Sequence, residues 1–187
     1  EIEQQRRDCT LILIGDPKQA IYAFRGADIY TYLKARKVVG GHLYTLDRNF
    51  RSTEAMVKAV NYCFTQVENR PESGGAFLFQ ESDDNPVPFL EVHANGLDDA
   101  FQVGDAKVPA MPIVVLSKEG TLAKAAYIEQ MSEICAAQIV AWLNHPEAGF
   151  SGPDVEFRPL QPGDLAILVS NGDEARNIRQ ALTRRNI

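Results

Sequence analysis

The chain has 187 residues, 45% of them hydrophobic, and a formal net charge of −6, a size that allows one large domain or parts of two. No apolar run approaches the ~20 residues that a membrane-spanning helix needs, and no signal-peptide pattern opens the sequence. The acidic balance argues against a free-standing nucleic-acid binder, although stacking and a few local cations still allow DNA contact.

The charged opening, Glu1 to Asp8, runs straight into Thr10–Ile14, a β-rich apolar run that stops at Gly15-Asp16. Residues 10–15 read as a first, buried strand ending at a loop, which is where α/β sheets place ligands. A chain that begins one step before a buried strand looks like an excised piece of a longer one. Asp28–Arg36 reads as a short helix, with Gly40-Gly41 closing the stretch beyond it, and His42–Leu46 as a brief strand. Ser52-Thr53 is placed to cap a helix over Thr53–Val67, where Met56, Val57, Val60, Phe64 and Val67 share one face.

From Glu68 to Val87 the prolines, glycines and acids predict a loop or insertion. Phe89–Val92 and Pro112–Leu116 read as strands, separated by a turn-rich acidic link around Asp98–Asp105. The longest helix is predicted over Leu122–Leu143, with Ile128, Met131, Cys135, Ile139 and Leu143 among its apolar positions. A Gly- and Pro-rich loop, Pro146–Pro162, precedes Asp164–Val169, whose continuous apolar run predicts a parallel strand buried on both faces. A further helix starts at Asp173. The three cysteines, Cys9, Cys63 and Cys135, are far apart. With no CxxC pair or His-Cys cluster they predict no metal site, and they fit reduced thiols of a cytoplasmic protein.

The chemistry concentrates in two stretches. After Gly15-Asp16 come an amide (Gln19), two aromatics on alternate positions (Tyr22, Phe24) and a guanidinium (Arg25). These groups suit phosphate oxygens and base faces. Further on, Leu46-Asp47-Arg48-Asn49-Phe50-Arg51-Ser52 puts a second aromatic–arginine pair just before a helical pattern. Each residue also has a plainer reading. Arg51 could pair with Glu54, Arg25 with Asp28 or Asp16, and Gln19 could tie loop backbone together. Tyr22, Phe24 and Phe50 could simply pack beneath their loops, and Asp16 could cap its own.

Together the two stretches resemble motifs III and IV of the superfamily 1A DNA helicases, the UvrD, Rep and PcrA group. The wording GDPKQAIYAFRGADIYTYLKA is closest to the RecB family, the beta subunits of exodeoxyribonuclease V. The resemblance implies an α/β fold: parallel sheets flanked by helices, in two partial RecA-like domains. Residues 1–41 would be the C-terminal part of the first domain. Residues 42–187 would be the N-terminal part of the second, with a loop or insertion at about 68–110.

It further implies a 3′–5′ helicase and exonuclease that uses ATP and Mg2+ to unwind and degrade DNA from double-strand breaks in recombinational repair. Its partners would be single-stranded and duplex DNA and the RecC and RecD subunits. Arg51 takes the role of the arginine that reaches the γ-phosphate, Phe50 that of the ring stacked on adenine, and Gln19 that of the γ-phosphate sensor. Arg25 links the nucleotide and DNA sites, and Tyr22 and Phe24 contact bases. The chain lacks G-x-x-x-x-G-K-[ST], so this segment alone is expected to bind nucleotide weakly and not to hydrolyse it. A UvrD- or AddA-type helicase without these partners, or a non-catalytic scaffold derived from one, are the competing readings.

Overall fold

The computed structural model describes residues 10–18, 28–70, 72, 74–80, 84–96, 99–117 and 120–187. The chain is mixed α/β and divides into two compact units, Glu1–Asn49 with Val57–Ala94, and Phe50–Met56 with Asn95–Ile187.

In the first unit, helix α1 (Ile29–Val39) starts at Asp28, whose carboxylate accepts from the Tyr30 N–H at 2.9 Å and the Thr31 hydroxyl at 2.7 Å. These two hydrogen bonds hold its carboxyl below the usual aspartate range. The helix stops at Gly40, which adopts a φ of +55° that other residues rarely tolerate. Strand β1 (Arg48–Asn49) pairs in parallel with β2 (His93–Ala94). Between them runs helix α2 (Glu54–Glu68), whose first turn belongs to the second unit.

The chain after α2 folds back along it because the helix ends in an acceptor. The Glu68 carboxylate takes hydrogen bonds from the Ala76 N–H (2.7 Å), the Asn85 amide (2.7 Å) and the Phe89 N–H (3.1 Å). One helix turn-pair earlier, the Asn61 amide donates to the Val92 carbonyl at 2.9 Å. Phe64 stacks on Phe89 with centroids 5.1 Å apart, and Phe77 closes the cluster 5.6 Å from Phe64. Val57 and Val87 are buried.

In the second unit, β3 (Ala100–Val103), β4 (Ala106–Lys107), β5 (Ala148–Gly152) and β6 (Val155–Pro159) form an antiparallel sheet in the order β4-β3-β5-β6. Helix α3 (Lys124–Leu143) packs on α4 (Gly172–Thr183) through Ala136, Ile178 and Ala181, with Cys135 and Leu182 at the margin. Partial burial pushes the Cys135 thiol up. Glu133 on α3 binds both Arg184 and Arg185 beyond the end of α4, the latter at 2.7 Å. Asn171 caps α4, accepting from the Asp173 and Glu174 N–H groups at 3.0 Å each.

Several expected elements differ. Residues 10–15 and 165–169 are not strands: they run without a ladder, and Ile14 and Leu168 are 96% and 97% exposed. Pro112–Leu116 is likewise extended and open, with Ile113 78% exposed. His42–Leu46 forms no ladder either, pairing beginning only at Arg48, and the strand expected over Phe89–Val92 is confined to His93–Ala94. An apolar run becomes a strand only where another segment supplies a ladder of backbone hydrogen bonds, and among the described residues none of these runs is paired in one.

The converse correction concerns segments read as connections. The acidic link holds β3, and the loop Pro146–Pro162 holds the whole of the β5–β6 hairpin. Among the described residues only β1–β2 is parallel, so the expected parallel sheet is present there as one two-residue pair. No described helix is long and apolar enough to cross a membrane.

Candidate functional site

Gln19, Tyr22, Phe24 and Arg25 lie outside the described residues. Residues 16–18, just before them, are described. There the Lys18 N–H donates to Asp16 Oδ1 at 3.0 Å, so Asp16 caps the turn that leads into Gln19. The Lys18 ammonium lies over the Phe77 ring, 5.9 Å from its centroid, within the range of a cation–π contact. Asp28, just after this undescribed stretch, is committed to capping α1.

The second stretch is fully described. Strand β1 ends at Asn49, Phe50 and Arg51 follow at once, and α2 opens three residues later. The Thr53 hydroxyl accepts from the Met56 N–H at 3.4 Å, which fixes the helix start. A strand end, a short loop and a helix N-terminus in succession are the local arrangement in which α/β proteins present groups to phosphates. The Phe50 ring is 62% exposed. It is therefore not the core phenylalanine of its plainer reading, and its face is open to stacking. Arg51 is exposed as well.

Two features that residue-type reasoning missed bear on Arg51, both within the second unit. Arg51 lines a cavity of about 440 Å³ together with Ser52 and Thr53, backed by Phe101, Trp142 and Phe150. The Trp142 ring meets Phe101 edge-on with centroids 5.2 Å apart, and Phe150 lies 5.5 Å from Phe101. Gly96 sits directly against the backbone of Ser52, where any Cβ would collide with the Ser52 carbonyl. The Asn95-Gly96 dipeptide was the one sequence signal for that close approach. Among the described residues no group of three or more His, Cys, Asp or Glu side chains is arranged to hold a metal ion.

Residues 2–39 match the family model of the UvrD/REP helicase N-terminal domain. The whole chain is similar to curated RecBCD enzyme subunits RecB: 41% identical to that of Escherichia coli K12 over 94% of this chain. It is 33% identical to that of Mycobacterium tuberculosis H37Rv over 97% and 31% identical to that of Haemophilus influenzae over 99%. The match covers 14% of the Escherichia coli protein, 15% of the mycobacterial one and 14% of the Haemophilus one, so the chain spans about a seventh of these relatives.

Proposed function

We propose, from its similarity to RecB subunits, that this chain is the segment of an ATP-driven DNA helicase–exonuclease subunit of the RecB type that carries motifs III and IV. In this reading residues 1–41 close a first RecA-like domain and residues 42–187 open a second. The whole protein unwinds and degrades duplex DNA from double-strand breaks, in company with RecC- and RecD-type subunits.

The observation that carries the reading is the placement of Phe50-Arg51 between the end of β1 and the capped start of α2. Catalysis of phosphoryl transfer is mostly positioning and charge neutralisation. Arg51 supplies a planar guanidinium that spans two phosphate oxygens, and the exposed Phe50 face receives the adenine. Gln19 senses the γ-phosphate, and Arg25 passes its state to Tyr22 and Phe24, which grip bases by stacking. ATP fits the groups that are described: an open ring and an exposed arginine beside it in sequence. Mg2+ neutralises phosphate charge in such reactions, and in this reading its protein ligands lie outside these residues.

The test is DNA-stimulated ATP hydrolysis and unwinding from blunt ends by the full-length protein with its partner subunits. Both activities are expected. A full-length protein that unwinds no duplex in the presence of ATP would overturn the reading.

A further inference from the structure

Helix α1 buries none of its residues, yet one of its faces is built into a cavity. Tyr30, Leu33, Lys37 and Gly40 follow at three- and four-residue spacing with Arg36 beside them, and all five line a space of about 660 Å³ inside the first unit. The loop after α2 adds Leu78, Phe79 and Gln80 to the lining. That volume falls within the range of small-ligand sites, about 300–1,000 Å³. Nothing in the helicase reading assigns it.

The charge of this face runs against that of the chain. From Ile29 to Leu46 there is no Asp or Glu, while Lys34, Arg36 and Lys37 fall within about one helical turn, in a sequence of net charge −6. Asp84 is the one acid lining the cavity, against Arg36 and Lys37, so the balance is cationic. The Arg36 guanidinium donates to the Pro86 carbonyl, which fixes it at the wall. It carries more N–H donors than one carbonyl uses, and these suit phosphate oxygens. The Tyr30 ring is 67% exposed, on a first turn that Asp28 holds by accepting from the Tyr30 N–H. Leu78 lines the same space at a φ of +61°, in a turn closed by the hydrogen bond from the Gln80 N–H to the Gly74 carbonyl at 2.9 Å. A bulky residue held there is strained, and such strain gathers at ligand sites.

We propose that this cavity is a further contact for single-stranded DNA, in which one base stacks on Tyr30 and an adjoining phosphate meets Arg36 and Lys37. The pairing of an open ring with cations decides the ligand. A nucleotide presents a flat π face and an anion together, whereas an acidic peptide would use the cations and leave the ring and the apolar wall of Leu33 and Phe79 idle. Stacking reads no sequence, so a moving strand can use the site at every step. The inference rests on the reading of the whole protein as a DNA motor, and it uses none of the residues assigned above to nucleotide or bases.

The experiment measures the affinity of the full-length protein, with its partner subunits, for fluorescent oligothymidylate over a series of salt concentrations, alongside melting temperature. Tyr30→Ala should weaken binding about 5- to 150-fold, the worth of one base–aromatic stack, and Tyr30→Phe should restore it. Lys37→Ala should reduce the slope of log affinity against log salt by about 0.7, one phosphate's share on a single strand. Melting temperatures should stay at the wild-type value, because both side chains are exposed.

Wild-type strand affinity in Tyr30→Ala, an unchanged salt slope in Lys37→Ala, or an affinity loss that tracks a fall in melting temperature would each overturn the inference and leave the helicase reading intact. Two other probes identify a wrong ligand. If polyglutamate binding falls in Lys37→Ala while oligothymidylate binding does not, the cavity takes an acidic peptide and the inference fails. If adenosine monophosphate binding alone falls in Tyr30→Ala, it takes a free nucleotide and the inference fails. A wild-type protein that binds no single strand would overturn both the inference and the helicase reading.

Discussion

Gly96 is the position where a single methyl group tests whether the backbone beside Arg51 has to stay where it is. In Gly96→Ala the new Cβ collides with the Ser52 carbonyl oxygen and stands 3.2 Å from the Ser52 carbonyl carbon and 3.3 Å from its nitrogen. Ordinary contact between carbons needs about 3.5–4.0 Å, and all three close atoms are backbone, so no flexible side chain can swing aside. Relief requires the Ser52 peptide, and Arg51 with it, to move on the order of 1 Å. A shift of that size at a reacting group can cost about 10²-fold in rate, whereas overpacking costs about 1–3 kcal/mol in stability. The expected result for full-length Gly96→Ala is a kcat for ATP hydrolysis lowered about 10- to 100-fold, with a modest fall in melting temperature. A folded Gly96→Ala protein with wild-type turnover would refute the idea that this close approach sets the arginine.

Glu68→Ala removes the acceptor for two backbone N–H groups and one amide. It should cost about 1–3 kcal/mol and open residues 69–88 to limited proteolysis; a cleavage pattern like the wild type's would contradict the clamp. Glu133 is held below the usual glutamate range first by its hydrogen bond from Arg184 and then by that from Arg185. Its folded pKa is depressed, so its contribution to stability is present above the ordinary glutamate value, about 4.3, and is lost as pH falls below that toward the folded value. The gap in melting temperature between wild type and Glu133→Gln should therefore be constant near neutrality and shrink below pH ~4. A gap independent of pH would refute the pairing.

The helices were legible in the sequence because their signals are local. The expected spans Asp28–Arg36, Thr53–Val67 and Leu122–Leu143 correspond to Ile29–Val39, Glu54–Glu68 and Lys124–Leu143, since caps and 3.6-residue spacing are written within a few residues. Even there the buried face of α3 differs. It runs through Ser132, Ala136 and Ile139, because small side chains let α4 approach, which apolar counting alone undervalues. The sheet was not legible. Ala100–Val103 sits in an acidic, turn-rich link and the β5–β6 hairpin is rich in Gly, Pro and acids, and β3 pairs with β5 about fifty residues away. The opposite error, at residues 10–15 and 164–169, has the same origin. Of the proposed site, the aromatic–arginine pair at Phe50-Arg51 was visible as chemistry. The Gly96 contact behind Ser52 and the Phe77 ring under Lys18 are tertiary, and no local spacing announces them.

Arg51 is where the account of an ATP-driven motor is most exposed to a single measurement. Steady-state ATP hydrolysis and single-strand affinity should be measured on the same preparation of the full-length protein carrying Arg51→Ala, with Arg51→Lys beside it. An arginine at the γ-phosphate is worth about 10³–10⁵ in rate, so Arg51→Ala should abolish DNA-stimulated hydrolysis and unwinding while strand binding persists. Lysine should rescue little, because an ammonium cannot reproduce the two-pronged contact. Near-normal hydrolysis by Arg51→Ala would contradict the account.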